Sequence, residues 1–498
     1  MSGRVVRSTD APGRSPWLIL ATVLFGLFSV NITITVLAVS IHRIAGEFHT
    51  ADATMTWVIT GPMLAFGVIG PAVGKLGDRL GQRRIYLVGL FGAGVMALCS
   101  AFAWNAGSLI LFRTLGAIEG AATGPASFAI ISRVFPREQR VKALGFWSMV
   151  GAGAPVLGVV IGGPIVEAFG WRVIFLAQIP LTLLGLFLAW RIIPETPKQR
   201  SGTFDVAGAA LVALGVTPLL YALSEGPRAG WSAPVVLGCF VLSPVMLWAF
   251  VRVEQRAAHP LLPLRYFRRR NFTFPLLSMS LLNGAYMGSF ILTPLLLQNV
   301  LGYSESRTGL LSIARPLAFA IAGPMGGFVA VRIGERISAV AGASAVVGAL
   351  VLMSTLGVGS TDVMIMASLA LAGVGMGIAS PSLASSVTNA VDEADFGIAG
   401  AAQQMMMQIG VVFGIQIMQT VQQMRLGPAG LSGSYHEGYL AGGVLALFGV
   451  VTAAQVRRID RTRVGSVPDV VVIAPEMIEP EVELVHERAE PRGAQLSR

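Results

Sequence analysis

Charged residues are scarce in this chain. Asp, Glu, Lys and Arg make up 12% of its 498 residues, whereas a soluble domain holds about 25%. The two cysteines, Cys99 and Cys239, lie in apolar runs, so they support neither a disulfide framework nor a cysteine metal site. A Walker phosphate-binding motif, a His/Cys metal-ligand pattern and a nucleophile elbow are also missing. These absences exclude a nucleotide-driven machine, argue against an enzyme, and predict no metal and no cofactor.

Long apolar runs take the place of charge. Hydrophobic residues make up 54% of the chain, and the mean hydropathy is +0.70. Many of these residues form runs of about twenty, which is the length of a helix that crosses roughly 30 Å of hydrocarbon. The sequence therefore predicts an all-α polytopic membrane protein with fourteen spans: 17–40, 54–73, 85–104, 107–131, 143–166, 171–193, 206–224, 232–251, 273–298, 306–330, 337–358, 361–386, 396–421 and 438–456.

The positive charges indicate topology. Lys and Arg number 26 in one set of alternate connections and 5 in the other, and cytoplasmic loops are the ones enriched in them. Both termini are therefore predicted to be cytoplasmic, and the net charge of +10 reflects topology rather than nucleic-acid binding. The first apolar run has 24 residues. The apolar region of a signal peptide has only roughly 7–15 residues, so this run is predicted to be an uncleaved helix. A multi-pass location in the inner or plasma membrane of a bacterium is expected.

A charged, glycine-rich stretch, GKLGDRLGQRR at 74–84, recurs in part. Gly74 to Arg83 aligns with Gly327 to Arg336 on the pattern G-x-[LV]-[GA]-x-R-[LI]-G-x-R. Eight predicted spans separate the copies, so one repeat is six spans and two extra spans lie between the repeats. Transporters are commonly built from such repeats, with the substrate path at the repeat interface. The predicted domains are an N-terminal segment (1–16), a six-helix bundle (17–200), a two-helix linker with a basic cytoplasmic loop (201–270), a second six-helix bundle (271–456) and a disordered cytoplasmic tail (457–498).

The stretch 74–84 resembles motif A of the major facilitator superfamily, and the fourteen-span layout resembles its drug–proton antiporter (multidrug efflux) branch. FGWRVIFLAQIP (169–180), GTFDVAGAALVALG (202–215) and NVLGYSESRTGLLSIARPLA (299–318) agree with that branch. The resemblance covers about residues 17–456. It implies a major facilitator fold and a monomeric exporter of small drug-like compounds that exchanges them for protons by alternating access and confers antibiotic resistance.

Motif A is implied to latch the two bundles together on the cytoplasmic side in one access state. Its glycines allow a sharp turn and close helix approach, and Asp78 can accept from backbone N–H groups at a helix start. The arginines can bridge to carboxylates or carbonyl ends of the other bundle, although headgroup anchoring stays open for Arg83 and Arg84. Val331 replaces the aspartate in the second copy, so the latch would be asymmetric. The predicted latch residues are Gly74, Asp78, Arg79, Arg83, Gly327, Arg332 and Arg336.

Two charged residues lie inside the fourth predicted span. A charge at the centre of a span costs at least ~2.5–3.5 kcal/mol, which makes Arg113 and Glu119 functional candidates. Six residues of helix separate them by about 9 Å and some 240°, so they cannot pair on one straight helix. Arg113 matches the arginine of the family's motif B, which is implied to take part in proton coupling, although Gly116 replaces the usual Gln. Asn31 replaces the usual aspartate of the first span, so Glu119 is the only embedded carboxylate of the first six spans. We predict proton coupling through Glu119 and Arg113; a structural Glu119 is the alternative.

The fifth span resembles the antiporter motif G-x8-G-x3-G-P-x2-G-G, which is associated with exporters. Ala154 and Val159 depart from it, and the matching or neighbouring positions are Gly145, Pro155, Gly158, Gly162 and Gly163. Arg315 in the tenth span is left with three open roles: snorkelling, countering Glu119, or attracting an anionic substrate. The substrate-path candidates are Asn31, Asn283, Tyr286, Arg315, Gln403, Gln404 and Gln408, with helix packing as the alternative for the glutamines.

Three other functions stay open on the sequence. A wide apolar cavity would serve a lipid or an endogenous metabolite equally well. Asn31 cannot carry a proton, so an uncoupled facilitator is another alternative. A non-transporting membrane sensor is the alternative from a different class. The acidic connection DEADFG at 392–397 is expected to pair with the arginines of the 74–84 stretch.

Overall fold

The computed structural model describes residues 15–33, 43–50, 52–55, 57–196, 205–257, 260 and 262–457. The predicted N-terminal segment up to 14 and the predicted tail from 458 onward lie outside these ranges. Every regular element within them is helical, which confirms the all-α class. The long helices are α1 (Pro16–Asn31), α2 (Trp57–Leu80), α3 (Gln82–Ala101), α4 (Ala106–Val134), α5 (Arg137–Phe169), α6 (Arg172–Ile192), α7 (Val206–Ala229), α8 (Pro234–Glu254), α9 (Arg270–Asn299), α10 (Ala314–Ile333), α11 (Glu335–Met353), α12 (Asp362–Asn389) and α13 (Phe396–Ala454).

Short helical segments lie in the connections and carry no label here. They are 43–47, Asp52–Met55, Leu264–Arg268, Glu305–Ser312 and Glu393–Asp395. Within the described ranges, nine helices are long and apolar enough to cross a membrane. The count of fourteen spans and the side of the termini stay predictions.

The last helix, α13, consists of two arms. Gly430 interrupts it with a φ of 70° and a ψ of 176°, a conformation that glycine adopts without a steric penalty. Gln422 donates to Ser434 Oγ at 3.1 Å, and Arg425 forms an ion pair with Glu437. These contacts join residues twelve apart across the bend, so the chain folds back on itself there. The two arms correspond to the predicted spans 396–421 and 438–456.

The repeated sequence pattern is reflected in repeated turns. Gly81, with a φ of 103°, is the one residue between α2 and α3, and Gly334, with a φ of 93°, is the one residue between α10 and α11. Both lie at the eighth position of their copy of the pattern. A side chain would be strained at such a φ, so glycine permits the abrupt change of direction. The two copies therefore build the same backbone turn.

Each of the two predicted bundles is a connected set of packed helices. Helices α1 to α6 pack with one another, as do α9 to α13, and the two sets touch through the pairs α2–α13, α4–α13, α5–α10 and α5–α12. The linker helix α7 packs on α2 and α13, where Val216 and Leu220 bury against Met405. The linker therefore lies along the seam between the bundles formed by α2 and α13.

Small residues bring α9 and α13 into backbone contact. A Cβ added to Gly414 would lie 2.2 Å from the carbonyl carbon and oxygen of Gly284, and one added to Gly410 would lie 2.0 Å from the Ser280 oxygen. Membrane helices pack through van der Waals contact rather than a hydrophobic driving force, so such close approach is a main source of their association.

We expect the substitution Gly414→Ala to destabilise the protein, because the added methyl group forces α9 and α13 apart. Overpacking of this kind costs about 1–3 kcal/mol. This loss of stability is measured as a lower unfolding temperature of the purified protein in detergent. The matched control is Gly348→Ala, whose new methyl group meets only Leu371 Cδ2 at 4.0 Å. Equal unfolding temperatures for the two variants would contradict the packing described.

Candidate functional site

A buried carboxylate joins the two bundles. Asp78, in the last turn of α2, is 0% exposed. Its Oδ1 accepts from the backbone N–H of Gly397, and its Oδ2 from that of Ile398, both at 3.0 Å. Gln82 donates to Oδ1 at 2.7 Å. Gly397 and Ile398 lie in the first turn of α13, where free N–H groups and the helix dipole both favour a negative charge.

Glycine makes this contact possible. A Cβ added to Gly74, one turn before Asp78, would lie 2.5 Å from both the Ala401 Cβ and the Gly397 oxygen. A Cβ on Gly397 would lie 2.5 Å from the Gly74 oxygen. Side chains at either position would push α2 and α13 apart and take the Asp78 carboxylate out of hydrogen-bonding distance.

The second copy of the pattern makes a similar backbone contact with different chemistry. A Cβ on Gly327 would lie 2.6 Å from the Val141 oxygen, and one on Gly145 would lie 2.6 Å from the Gly323 oxygen. Helices α10 and α5 therefore touch as closely as α2 and α13. Val331 supplies no carboxylate here, and Arg332 and Arg336 are exposed, so this side has no counterpart of the Asp78 carboxylate.

Arg83 makes contacts other than the predicted bridge to the second bundle. Arg83 forms an ion pair with Glu195 at 2.5 Å and donates to the Trp190 oxygen at 2.6 Å. Both partners lie at the end of α6, so Arg83 joins α3 to α6 within the first bundle rather than bridging the bundles. Arg83 lies in the first turn of α3, beside that end of α6, so these partners are within its reach. Arg79 lies in the last turn of α2, and Arg133 NH2 is 3.5 Å from Asp78 Oδ1.

Arg140 makes a contact with the second bundle that the sequence does not indicate. It is 4% exposed. Its Nε donates to the Ser132 oxygen at 2.7 Å, and its NH1 donates to Asn389 Oδ1 of the second bundle at 3.1 Å. Its guanidinium lies 4.8 Å from the Phe396 ring centroid. In the sequence Arg140 is one of several cations in a basic connection, and nothing distinguishes it from its neighbours.

The acidic turn before α13 pairs with the linker rather than with the 74–84 stretch. Tyr266 donates to Asp395 Oδ2 at 2.6 Å, and Arg265 NH2 lies 3.1 Å from Asp392 Oδ2. Arg269 donates to the Ala390 oxygen at 2.6 Å. Burial, together with the hydrogen bond to Asp395, raises the pKa of the Tyr266 hydroxyl well above its usual value, so this hydroxyl remains a donor. The loop between α8 and α9 thus holds the turn that presents the Gly397 and Ile398 N–H groups.

A cavity of about 280 Å³ lies between the bundles. Most of its lining is apolar or small, with Val30, Met96, Phe112 and Met287 among the larger side chains. Both bundles contribute polar groups. These are Asn31, Ser100, Arg113 and Gln178 from the first bundle, and Gln404 and Gln408 from the second.

The two embedded charges of α4 point to different places. Arg113 lines the cavity, with its guanidinium 5.6 Å from the Phe175 ring centroid. The Glu119 carboxyl instead lies against α3, where a Cβ on Gly92 would fall within 2.2–2.5 Å of its atoms. Within the described part of the chain, Glu119 Oε2 is buried without a hydrogen-bond partner. The structure therefore does not bring Arg113 and Glu119 together as a pair.

Arg315 is buried inside the second bundle. It is 1% exposed, donates to the Tyr286 oxygen at 3.1 Å, and places NH2 3.4 Å from Thr293 Oγ1. Tyr439 donates to the same Thr293 oxygen at 3.0 Å. Of the open roles, snorkelling is excluded by burial, and the recorded contacts of Arg315 all lie within its own bundle rather than at Glu119.

The remaining predicted residues divide between cavity and packing. Asn31, Gln404 and Gln408 line the cavity, whereas Asn283 donates to the Met279 oxygen of its own helix at 2.8 Å. Gln403 is 1% exposed and lies outside the cavity lining, as do Tyr286 and Arg315. Helix α5 continues through the predicted antiporter positions Pro155, Gly158, Gly162 and Gly163.

Comparisons with known proteins agree on one family. The sequence model of the Major Facilitator Superfamily matches residues 21–415. The chain is 28% identical to the multidrug transporter protein MdtP of Bacillus subtilis over 412 residues, which are 82% of this chain and 76% of that protein. It is 29% identical to the tetracenomycin C resistance and export protein of Streptomyces glaucescens over 418 residues, 83% and 77% of the two chains. The crystal structure of the human organic anion transporter MFSD10 (TETRAN) shares the fold, with a TM-score of 0.63 at 17% identity over 89% of this chain and 100% of that one.

We expect Asp78→Asn to open the contact between α2 and α13, because hydrogen bonds to a charged group contribute about 1.5–3 kcal/mol. The measurement is the rate of maleimide labelling of Ile398→Cys, a 1% exposed position, in protein lacking Cys99 and Cys239. Labelling should become faster in the Asp78 variant. Asp205→Asn is the control, since Asp205 accepts from the Gly208 N–H at 2.7 Å and interacts with Glu254 of α8, and its recorded contacts do not include α13. An equal rise in both variants, or no rise, contradicts the role given to Asp78.

Proposed function

We propose that this chain, which belongs to the major facilitator superfamily, exports small amphipathic compounds in exchange for protons by alternating access. Its relatives are transporters with multidrug and drug-export members, so the chain is a membrane transporter and not an enzyme. The observation that carries the proposal is a cavity lined by both bundles, combined with bundle contacts concentrated at one end of the helices.

Alternating access requires contacts that can form and break at one end. The Asp78 bonds to α13, the Gly74 contact and the α5–α10 contact all lie near the chain turns 80–82, 134–137, 333–335 and 389–396. The predicted topology makes this end cytoplasmic, so this conformer would be closed to the cytoplasm. Release of these contacts would expose the cavity there. Hydrogen bonds of about 1.5–3 kcal/mol are of the size that a ligand can shift.

The cavity composition supports a small amphipathic substrate. Ligand sites are mostly apolar with a few polar groups that orient the ligand, as this lining is. Met96 and Met287 add flexible, polarisable side chains that adapt to varied shapes. The names of the relatives, a multidrug transporter and a tetracenomycin C export protein, support export rather than import.

Glu119 is the proposed proton site. It is the only carboxylate inside the predicted spans of the first bundle, and its Oε2 is buried without a partner among the described residues. The neutral form suits such surroundings better than the charged form. The carboxyl packs on α3, while the same helix α4 carries Arg113 to the cavity and contacts α13. Protonation would therefore alter α3–α4 packing in a helix that touches both the cavity and the second bundle.

An uncoupled facilitator is the second candidate function. The observation that favours it is Asn31 on the cavity lining, because an amide cannot carry a proton. The cavity would also accept a lipid or an endogenous metabolite of similar size. A non-transporting sensor leaves the cavity without a purpose, and we rank it last.

We expect Glu119→Gln to abolish proton coupling but not movement of substrate. In everted vesicles with an acid interior, the native protein should take up a fluorescent amphipathic dye, and the variant should not. Exchange of dye without a gradient should persist in the variant, which separates coupling from folding. Glu225→Gln, in the linker helix α7, is the control and should keep gradient-driven uptake. Unchanged gradient dependence in Glu119→Gln would falsify the assignment.

A further inference from the structure

The charge on the cavity lining is of one sign. Among the described residues that line the cavity, Arg113 is the one charged group, and no carboxylate faces the space. The amides of Asn31, Gln178, Gln404 and Gln408 add N–H donors. A ligand in this cavity therefore meets one guanidinium, several hydrogen-bond donors and an apolar wall.

Arg113 lacks a counter-ion. In the part of the chain that the structure describes, it forms no ion pair, and its buried Nε has no hydrogen-bond partner. Its recorded neighbour is the Phe175 ring at 5.6 Å. The carboxylate of its own helix, Glu119, lies against Gly92 of α3 and outside the lining. A partly buried cation without a partner is less well stabilised than in water, so an anionic ligand that supplies the partner gains affinity at this position.

The second bundle adds no negative charge that could balance Arg113. In residues 271–456 every Asp and Glu lies in a connection or in the first or last turns of a helix arm. The charge buried within this bundle is again an arginine, Arg315, and its recorded hydrogen bonds go to Tyr286, Thr293 and Met353 rather than to a carboxylate. Charges act over long distances in a low-dielectric interior. The charge on the cavity lining is therefore positive, while the buried Asp78 lies at the α2–α13 contact and outside the lining.

We infer that the transported compound is an amphipathic anion, a carboxylate or phenolate on an apolar body, whose negative group binds Arg113. The guanidinium pairs with a carboxylate through two parallel hydrogen bonds, and the cavity amides donate to its remaining lone pairs. The apolar wall covers the body of the molecule. This inference rests on the proposed transport function and specifies its substrate class. A permanently cationic drug would meet a like charge with no acid to offset it.

The sign of the substrate determines how the membrane potential acts. Export of a monovalent anion in exchange for one proton moves two positive charges inward per cycle. An inside-negative potential therefore favours this exchange, with the energy of moving two elementary charges across the membrane. Exchange of a monovalent cation for one proton moves no net charge and is insensitive to the potential. The two substrate classes can thus be distinguished without knowing the natural substrate.

The test uses the purified full chain in proteoliposomes and two probes on one fluorescent scaffold, dansyl-aminohexanoate and a dansyl derivative bearing a trimethylammonium group. Uptake is followed with an acid lumen, and valinomycin with potassium sets the lumen either positive or at zero potential. We expect uptake of the anion, faster when the lumen is positive, and uptake of the cation at least about ten-fold slower, the factor set by one charge-assisted hydrogen bond. Anion uptake that ignores the potential would overturn the charge count.

Variants separate binding of the anion from protein integrity. Arg113→Gln should lose anion uptake, and Arg113→Lys should retain part of it. Because loss of Arg113 can impair folding, the second test adds a charge instead: Asn31→Asp should slow anion uptake and admit the cation. Asn31→Ser, which removes the same amide without adding a charge, should not admit the cation. Elution as a single species on size exclusion is the integrity check. Transport of the cation alone overturns the anion assignment and leaves the transporter proposal standing; transport of neither probe overturns both.

Discussion

The contact between α2 and α13 depends on one buried carboxylate, which accepts hydrogen bonds from the first N–H groups of a helix in the opposite bundle. Asp78 satisfies donors that no residue within α13 can satisfy, because the first turn of a helix has no earlier carbonyls to accept from it. Close approach of Gly74 and Gly397 brings the groups together. In the proposed alternating access this contact would favour one conformer and could still be released, since its hydrogen bonds contribute a few kcal/mol at most.

The internal repeat preserves backbone geometry better than chemistry. Gly81 and Gly334 form equivalent turns, and Gly74 and Gly327 form equivalent helix contacts. Only the first copy carries the carboxylate. The second side relies on glycine packing and on Arg140, which crosses from the first bundle to Asn389. The α2–α13 and α5–α10 contacts between the bundles therefore differ in their response to changes of charge.

Much of the fold and part of the candidate site could be predicted from the sequence. The parts that could not be predicted share a physical reason. Apolar runs and isolated glycines determine where helices lie and turn, and Asp78 at the end of a motif next to glycines indicates an acceptor for helix N–H groups. The direction of a side chain around a membrane helix is harder to predict. Such helices are apolar on all faces, so no polar stripe orients them. The packing of Glu119 against α3 therefore does not follow from the sequence. Asn31, Gln404 and Gln408 are polar residues within predicted spans, which identifies them as cavity candidates. The partners of Arg83 and Tyr266 lie far away in the chain, so they too require the three-dimensional structure.

The position of α7 has a consequence for solutes dissolved in the lipid phase. It fills the groove between α2 and α13, with Val216, Leu220 and Met405 buried and Trp57 stacked on Tyr221 at 6.4 Å. The loop that follows α8 is fastened to the turn before α13 by Tyr266 and Arg269. A hydrophobic molecule diffusing in the bilayer therefore meets a helix at this seam instead of a gap, and sideways entry from the membrane is obstructed there. Because of the linker helices, the two lateral faces of the transporter differ in how easily molecules dissolved in the lipid can enter.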